Sequence, residues 1–390
     1  MNKINSRTIT IGRRKKIKPI LVGGNNPLRI VAPFGSSGPE DLNVNLSAFI
    51  KAVAEAGADA VQELSTFGEL GKIRTDLLKE TKVPYGTVLT FELFMRWSKE
   101  RSLSKEKIDY LTLKVLEEQI EQGIDYTTIH ASLTHDLIEK TARSRSKRAI
   151  PGASRAAGML VRLMKSAGID NPLNSNFEKI ARMCSDAKVA ISLGAPFRSA
   201  AISDALDAAH LAEIKHQGYL ASIVHGVGGE VMIEGLGHAV PSDIEKYSRL
   251  VTKICGKAPV TALGPLPIDV AVGMDHIAAA IGVCFASLAG ISLVNVITRK
   301  EHFAMPDVYD MIEAVRAAKI GAYTAHVMKI GKKSERDLAM SRARSSLNWK
   351  RQSELALFGE TLKYCMGNDQ YKNGKSCSIC GAQCPLRIRY

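Results

Sequence analysis

The sequence predicts an α/β fold, a (β/α)8 TIM barrel followed by helical segments and a cysteine-bearing tail. Three observations predict it. Short β-rich runs alternate with amphipathic helical stretches over residues 29–305, the runs number eight, and several are apolar without a break. Unbroken apolar runs are what strands covered on both faces need, and eight βα units in that length suit a closed barrel. A doubly wound sheet is the alternative. No strand is followed by a Gly-x-Gly-x-x-Gly turn opening a helix, however; Gly226-Val227-Gly228-Gly229 precedes a strand instead.

Taken in order, residues 1–28 read as a basic arm, with Arg13, Arg14, Lys15, Lys16 and Lys18 close together. The strands fall at 29–34, 58–63, 84–88, 126–130, 188–193, 230–234, 259–263 and 293–298. Helical periodicity lies between them, clearest at 46–55, 107–122, 177–185, 205–217 and 276–289. Gly57, Gly123 and Gly218 follow helical stretches and read as C-terminal stops before the next strand. The barrel ends near 305. A helical region covers 306–366 in three stretches, 308–332, 333–347 and 348–365. A Gly/Lys/Asn-rich connector at 366–375 reads as a flexible arm leading into the tail, 367–390.

Composition narrows the class. A hydrophobic fraction of 45% and a charged fraction of 24% are globular values. No apolar run approaches the roughly 18–20 residues of a membrane span, and no signal-peptide core follows the basic start, so a cytoplasmic protein without a membrane partner is expected. The net charge of +14 raises nucleic acid as a partner. The excess is spread over the arm, the run Lys140, Arg143, Arg145, Lys147, Arg148, and the tail, with no nucleic-acid-binding signature beside it. A solvated basic surface attracting anionic small molecules is the expectation, with no nucleic acid.

Residues just past barrel strands face the active site. Those positions carry Ser65, Thr66, Gly86, Thr87, His130, Gly194, Arg198, Glu234, His238, Asp269, Asp275, His276, Lys300, Glu301 and His302, a dense titratable rim. His238 and His302 suit a divalent metal with open positions, which substrate or water would have to complete.

Seven cysteines in such a chain do not suggest disulfides. Cys184, Cys255, Cys284 and Cys365 are scattered; Cys377, Cys380 and Cys384 form a motif. Three thiolates hold three irons of a [4Fe–4S] cluster and leave the fourth for a ligand such as S-adenosylmethionine. A closed zinc site would need a fourth ligand, and the nearest other candidates are Cys365 and His326. A redox pair would leave the third thiol without a role.

These segments together resemble the atypical radical S-adenosylmethionine family of hydroxymethylpyrimidine phosphate synthase, from thiamine biosynthesis. The strongest matches are Val231-Met-Ile-Glu-Gly-Leu-Gly-His238, Leu263-Gly-Pro-Leu266 through Asp269 to Asp275-His-Ile277, and Lys300-Glu-His-Phe-Ala-Met-Pro306. Leu64-Ser-Thr66, Gly86-Thr-Val88, Ile129-His-Ala131 and Arg316-Ala-Ala-Lys-Ile320 support them.

The resemblance implies a lyase that rearranges 5-aminoimidazole ribotide with S-adenosylmethionine and a [4Fe–4S] cluster on Cys377, Cys380 and Cys384. It implies a divalent metal, zinc in the first instance, on His238 and His302. Glu234 and Arg198 are the implied catalytic residues. Gln62, Phe91, His130, Ser154, Arg155, Arg198 and Glu234 are the implied substrate contacts, with Ser154 and Arg155 at the phosphate. A reductant protein and a homodimer, or a heterodimer with a paralogue, are the implied partners.

The chain also departs from the family pattern. Pro33 and Ala195 stand where the family has Asn and Asp, and Gln62-Glu63 replaces Met–Asp. Phe91 replaces Tyr, and the gap from Cys380 to Cys384 is one residue short. The changed pocket points to a divergent paralogue making 5-hydroxybenzimidazole, the lower ligand of anaerobic cobamides. Thiamine pyrimidine synthesis is the alternative, and a non-catalytic subunit of a paralogous pair is the rival from another class.

Overall fold

A computed structural model of the chain describes residues 6–12, 14, 16–100, 104–143, 148–366 and 374–388. It falls into two compact units, 1–322 and 323–390. Among the described residues no helix is long and apolar enough to cross a membrane.

In the first unit, strands β3 (Arg29–Phe34), β4 (Ala60–Glu63), β5 (Tyr85–Val88), β6 (Tyr126–Ile129), β7 (Ala190–Leu193), β8 (Val231–Glu234), β9 (Val260–Leu263) and β10 (Leu293–Asn295) form a closed barrel. Each pairs in parallel with its sequence neighbours, and β10 closes onto β3. The eight expected strands are all present, trimmed by up to three residues, because ladder bonds end where chains leave for the helices.

Strand alternation sorts the side chains. Ile30, Ala32 and Phe34 of β3 point outward into the helix-covered core, while Val31 and Pro33 point into the barrel. Gly86 is required inside. A Cβ there would stand 2.1 Å from the ring of Tyr126, which fills the barrel and donates its hydroxyl to the Val61 carbonyl.

Two segments of the basic arm are strands. They fold into an antiparallel hairpin, β1 (Thr8–Ile11) with β2 (Ile20–Gly23). Ile9, Ile11 and Val22 pack against Val31, Tyr126, Met232 and Leu293, closing the N-terminal mouth of the barrel with apolar surface. Arg14, read as part of a basic cluster, donates to Asp125 and to the Leu78 and Val83 carbonyls. Arg13 and Lys15 lie outside the described residues.

The helix stops differ in one place. Gly57 and Gly123 have φ of +110° and +99°, as helix terminators should. Gly218 is interior to the helix Ala208–Gly226, and the stop comes at Gly228, φ +73°. A Cβ at 218 would stand 2.6 Å from Ile254, so this glycine admits a neighbouring helix.

The second unit holds helices Glu335–Ser345, Trp349–Leu355 and Gly359–Met366, then two short 3-10 turns around the cysteines. The single stretch expected over 348–365 is thus two helices, divided where Ala356 turns extended. Most of the connector 366–375 lies outside the described residues.

Candidate active site

Above the apolar floor, the barrel opens at its C-terminal end into a cavity of about 520 Å³. Gln62, Phe91, His130, Ser154, Arg155, Arg198 and Glu234 all line it, brought together from six segments of the chain.

Glu234 ends β8 with its carboxylate inside the barrel, 5% exposed. Arg198, on the loop after β7, places its guanidinium 3.6 Å away. The Arg198 guanidinium also donates to the Ala195 and Ala153 carbonyls, which hold it at the wall. Burial raises the Glu234 pKa, while Arg198 and the Ala195 N–H oppose the rise. The Glu234 carboxyl therefore holds its proton to higher pH than a solvated glutamate, beside a fixed cation.

His130 sits at the top of β6 with Nε2 3.3 Å from Ser154 Oγ and Nδ1 3.4 Å from Thr90 Oγ1. Burial, reinforced by the charge of Arg198, lowers its pKa to about 3. It is a neutral imidazole between two hydroxyls. Gly194 is packed on its ring, where a Cβ would approach within 2.6 Å. Gln62 donates to Thr128 Oγ1 at 2.8 Å across the interior.

Ser154 is the N-cap of the helix Arg155–Ala167, accepting from the Ala156 N–H. Arg155 follows at the first helical position, bonded to Ser37 Oγ and the Leu64 carbonyl, with its guanidinium 4.9 Å from the centroid of Phe91. A helix N-terminus with a serine and an arginine facing a cavity favours an oxyanion.

His238 and His302 converge with Nε2 atoms 3.3 Å apart. His238 Nδ1 lies 2.7 Å from Asp269, and His302 Nδ1 lies 3.1 Å from Asp275. A proton on each Nδ1 bonds its aspartate and leaves two Nε2 lone pairs facing each other, a contact a cation between them would resolve. The donor set fits a divalent metal. No three His, Cys, Asp or Glu among the described residues form a ready metal cage, so further ligands would come from outside the chain. Asp269 and Asp275 were legible only as rim residues; their role as imidazole partners needed the fold.

Some rim residues do not join the site. Thr87 points outward to Gln119, and His276 is buried near Glu313 at 3.8 Å. Arg148, read as solvated surface charge, is a buried strut paired with Asp207 and donating to the Phe197 and Arg198 carbonyls. Arg145 and Lys147 of that run lie outside the described residues. Ala195 is buried, and its side chain does not line the cavity.

In the second unit, Cys377, Cys380 and Cys384 are free thiols. The Cys377 carbonyl accepts the Gly381 N–H, and the Cys380 carbonyl the Gln383 N–H, so the segment is wound tightly. The N–H groups of Cys380 and Ile379 lower the Cys377 pKa, while Cys380 is raised by desolvation and by the other two thiols. Amide donors on a thiolate belong to the chemistry of cluster ligation.

A titratable barrel mouth together with a three-thiol segment defines an enzyme of the radical S-adenosylmethionine class. A family model described as the radical SAM ThiC family matches residues 1–390, and the chain belongs to that family. Membership carries S-adenosylmethionine and an iron–sulfur cluster with it.

Phosphomethylpyrimidine synthase of Carboxydothermus hydrogenoformans is 32% identical over 375 residues, covering 96% of this chain and 87% of that one. The Methanopyrus kandleri protein of the same name is 34% identical over 383 residues, again covering 96% and 87%. Among solved structures, dihydropteroate synthase from Thermus thermophilus aligns with 82% of this chain and 99% of that one. Its TM-score of 0.43 and identity of 13% are too slight to bear on function.

Proposed function

We propose that this chain is a phosphomethylpyrimidine synthase, a lyase that rearranges 5-aminoimidazole ribotide into the pyrimidine phosphate of thiamine biosynthesis. One observation carries the reading: relatives of that name align with almost the whole chain. The cavity supports it with a fixed Arg198–Glu234 pair, a neutral His130 and a capped, arginine-bearing helix end.

The ribotide phosphate would lie at Ser154 and Arg155, anchoring one end of the substrate. Its imidazole would lie deeper, among Gln62, His130 and the Arg198–Glu234 pair. Arg198 orients Glu234 and balances its charge, and Glu234 Oε1 takes or returns a proton. His130 is held neutral and acts as a hydrogen-bonding partner rather than a base. His238 and His302 would hold a divalent ion, zinc by the donor set, at the cavity mouth. Cys377, Cys380 and Cys384 would hold a [4Fe–4S] cluster, which supplies the electron that cleaves S-adenosylmethionine. A reductant protein and a second copy or paralogue complete this reading.

A second product is favoured by one feature of the wall. Pro33 lines the cavity where the family carries an amide, which removes a hydrogen-bonding group from the substrate's surroundings. That observation is what supports 5-hydroxybenzimidazole, the product expected from the sequence; no relative described above bears that name. The argument from Ala195 is weaker than the sequence suggested, because its side chain does not line the cavity.

Anaerobic reconstitution with iron and sulfide, then assay with dithionite, S-adenosylmethionine and the ribotide, tests these readings. A pyrimidine phosphate product is expected. A benzimidazole product would overturn the thiamine assignment, and absence of 5′-deoxyadenosine without a paralogue would support a non-catalytic subunit.

A further inference from the structure

The helix Ala208–Gly226 covers β7 and β8 from outside, and its buried face carries His210, Glu213 and Gln217, the last two one turn apart. Glu213 and Gln217 are 0% and 1% exposed. Polar groups so deeply buried destabilise a fold unless they are paired; the Glu213 carboxyl and the Gln217 Nε2 are paired to the backbone that bears the catalytic pair, while Gln217 Oε1 has no partner among the described residues. Glu213 receives the Phe197 N–H on both carboxyl oxygens, at 3.1 and 3.0 Å, and lies 3.0 Å from Ser132 Oγ. Gln217 Nε2 points at the carbonyls of Glu234, Leu193 and Gly194, at 2.8, 3.0 and 3.3 Å.

These bonds fall where the strands end. β7 stops at Leu193 and β8 at Glu234, and beyond them the backbone leaves the ladder. Backbone polar groups at such points need partners from elsewhere. Gln217 bridges the two strand ends with a single amide, and Glu213 fixes the amide beside Arg198. Arg148 holds the same loop from its other side through the Phe197 and Arg198 carbonyls.

We propose that Glu213 and Gln217 are positioning residues that set the separation of Arg198 and Glu234. Neither touches the cavity. They act through the backbone at 193–198 and 234, and the consequence for the ribotide rests on the substrate reading above. The loop 194–198 lies outside any strand or helix, so the pair's geometry depends on the bonds that Glu213 and Gln217 make from this outer helix together with those of Arg148 and the Ala153 N–H.

The test uses full-length protein in two measurements. Hydrogen exchange without ligand reads peptides spanning 194–199, and equilibrium dialysis of the cluster-free protein reads ribotide affinity. Gln217→Met keeps the volume and deletes the donor, Glu213→Gln conserves an acceptor, and Val224→Ala on the same helix is the packing control. Gln217→Met should speed exchange at 194–199 and weaken the ribotide, each about tenfold, the scale of one lost buried hydrogen bond. Glu213→Gln should stay near wild type, and Val224→Ala should lose melting temperature without either effect.

If Gln217→Met behaves like Val224→Ala, the proposal is overturned. Should wild type itself not bind the ribotide, the substrate reading falls, and the exchange data still decide the positioning role.

Discussion

His238 and His302 face one another with their Nε2 atoms 3.3 Å apart, each backed through Nδ1 by its own aspartate, Asp269 and Asp275. A proton on each Nδ1 gives both rings the tautomer a metal ligand needs. Zinc or cobalt should bind wild-type protein and be lost from His302→Ala. Asp275→Asn should weaken binding about 10–100-fold. Elemental analysis and Co²⁺ spectra check this; undiminished binding by His302→Ala would remove the site.

Arg155 is committed to a helix N-terminus and stacked over Phe91. Replacing it with alanine removes a charge-assisted contact worth about 1.5–3 kcal/mol, so ribotide affinity should fall roughly 10–150-fold. A dephosphorylated riboside should bind wild type and Arg155→Ala alike. If the variant loses both ligands equally, the phosphate assignment is wrong.

Buried groups set opposing pH limits on stability. His130 and His210 are each lowered from 6.5 to about 3, by burial first and then by nearby arginines. The unfolded chain therefore binds more protons between those values, and stability is lost as pH falls from 6.5 towards 3.

Glu213 runs the other way. Burial raises it from 4.5 to about 8, so the native state holds the extra proton and stability is lost as pH rises through that window. Glu213→Gln should flatten the alkaline limb of a melting-temperature profile and leave the acid limb unchanged. An alkaline limb identical to wild type would contradict this.

Cys380→Ser should abolish the visible absorbance of the reconstituted protein while leaving far-ultraviolet circular dichroism unchanged, since Cys380 is not part of the apolar core. Retained colour would refute the cluster assignment.

Ile11 is fully buried in the hairpin that closes the barrel floor. Ile11→Ala should destabilise by about 2–5 kcal/mol, read by denaturant unfolding. A loss below about 0.5 kcal/mol, the scale of a surface substitution, would show the hairpin to be dispensable.

The barrel was legible because strand burial on both faces leaves a pattern in the chain. Runs such as 190–193 and 231–233 are apolar or small throughout and bounded by turns, so their number and order could be read directly. The hairpin was not legible. Ile9, Ile11, Ile20 and Val22 alternate as strand residues should, but the lysines and arginines between them dominate a reading by charge. The site was legible as residue types past strand ends, such as His130, Glu234 and His238. The residues that align them were not, because Glu213 and Gln217 look like ordinary polar positions of an amphipathic helix.

By itself, the sequence determined the βα alternation, the three-thiol tail and the set of rim residues, since each depends on spacing along the chain. Only the tertiary structure decided which of those residues meet. His238 and His302 are separated by 64 positions, and closure of the barrel brings their rings together. Arg148 and Arg14 turned from surface charge into paired struts, buried and half-buried respectively, for the same reason: a side chain's solvent and partners are properties of the closed barrel, not of its neighbours in sequence.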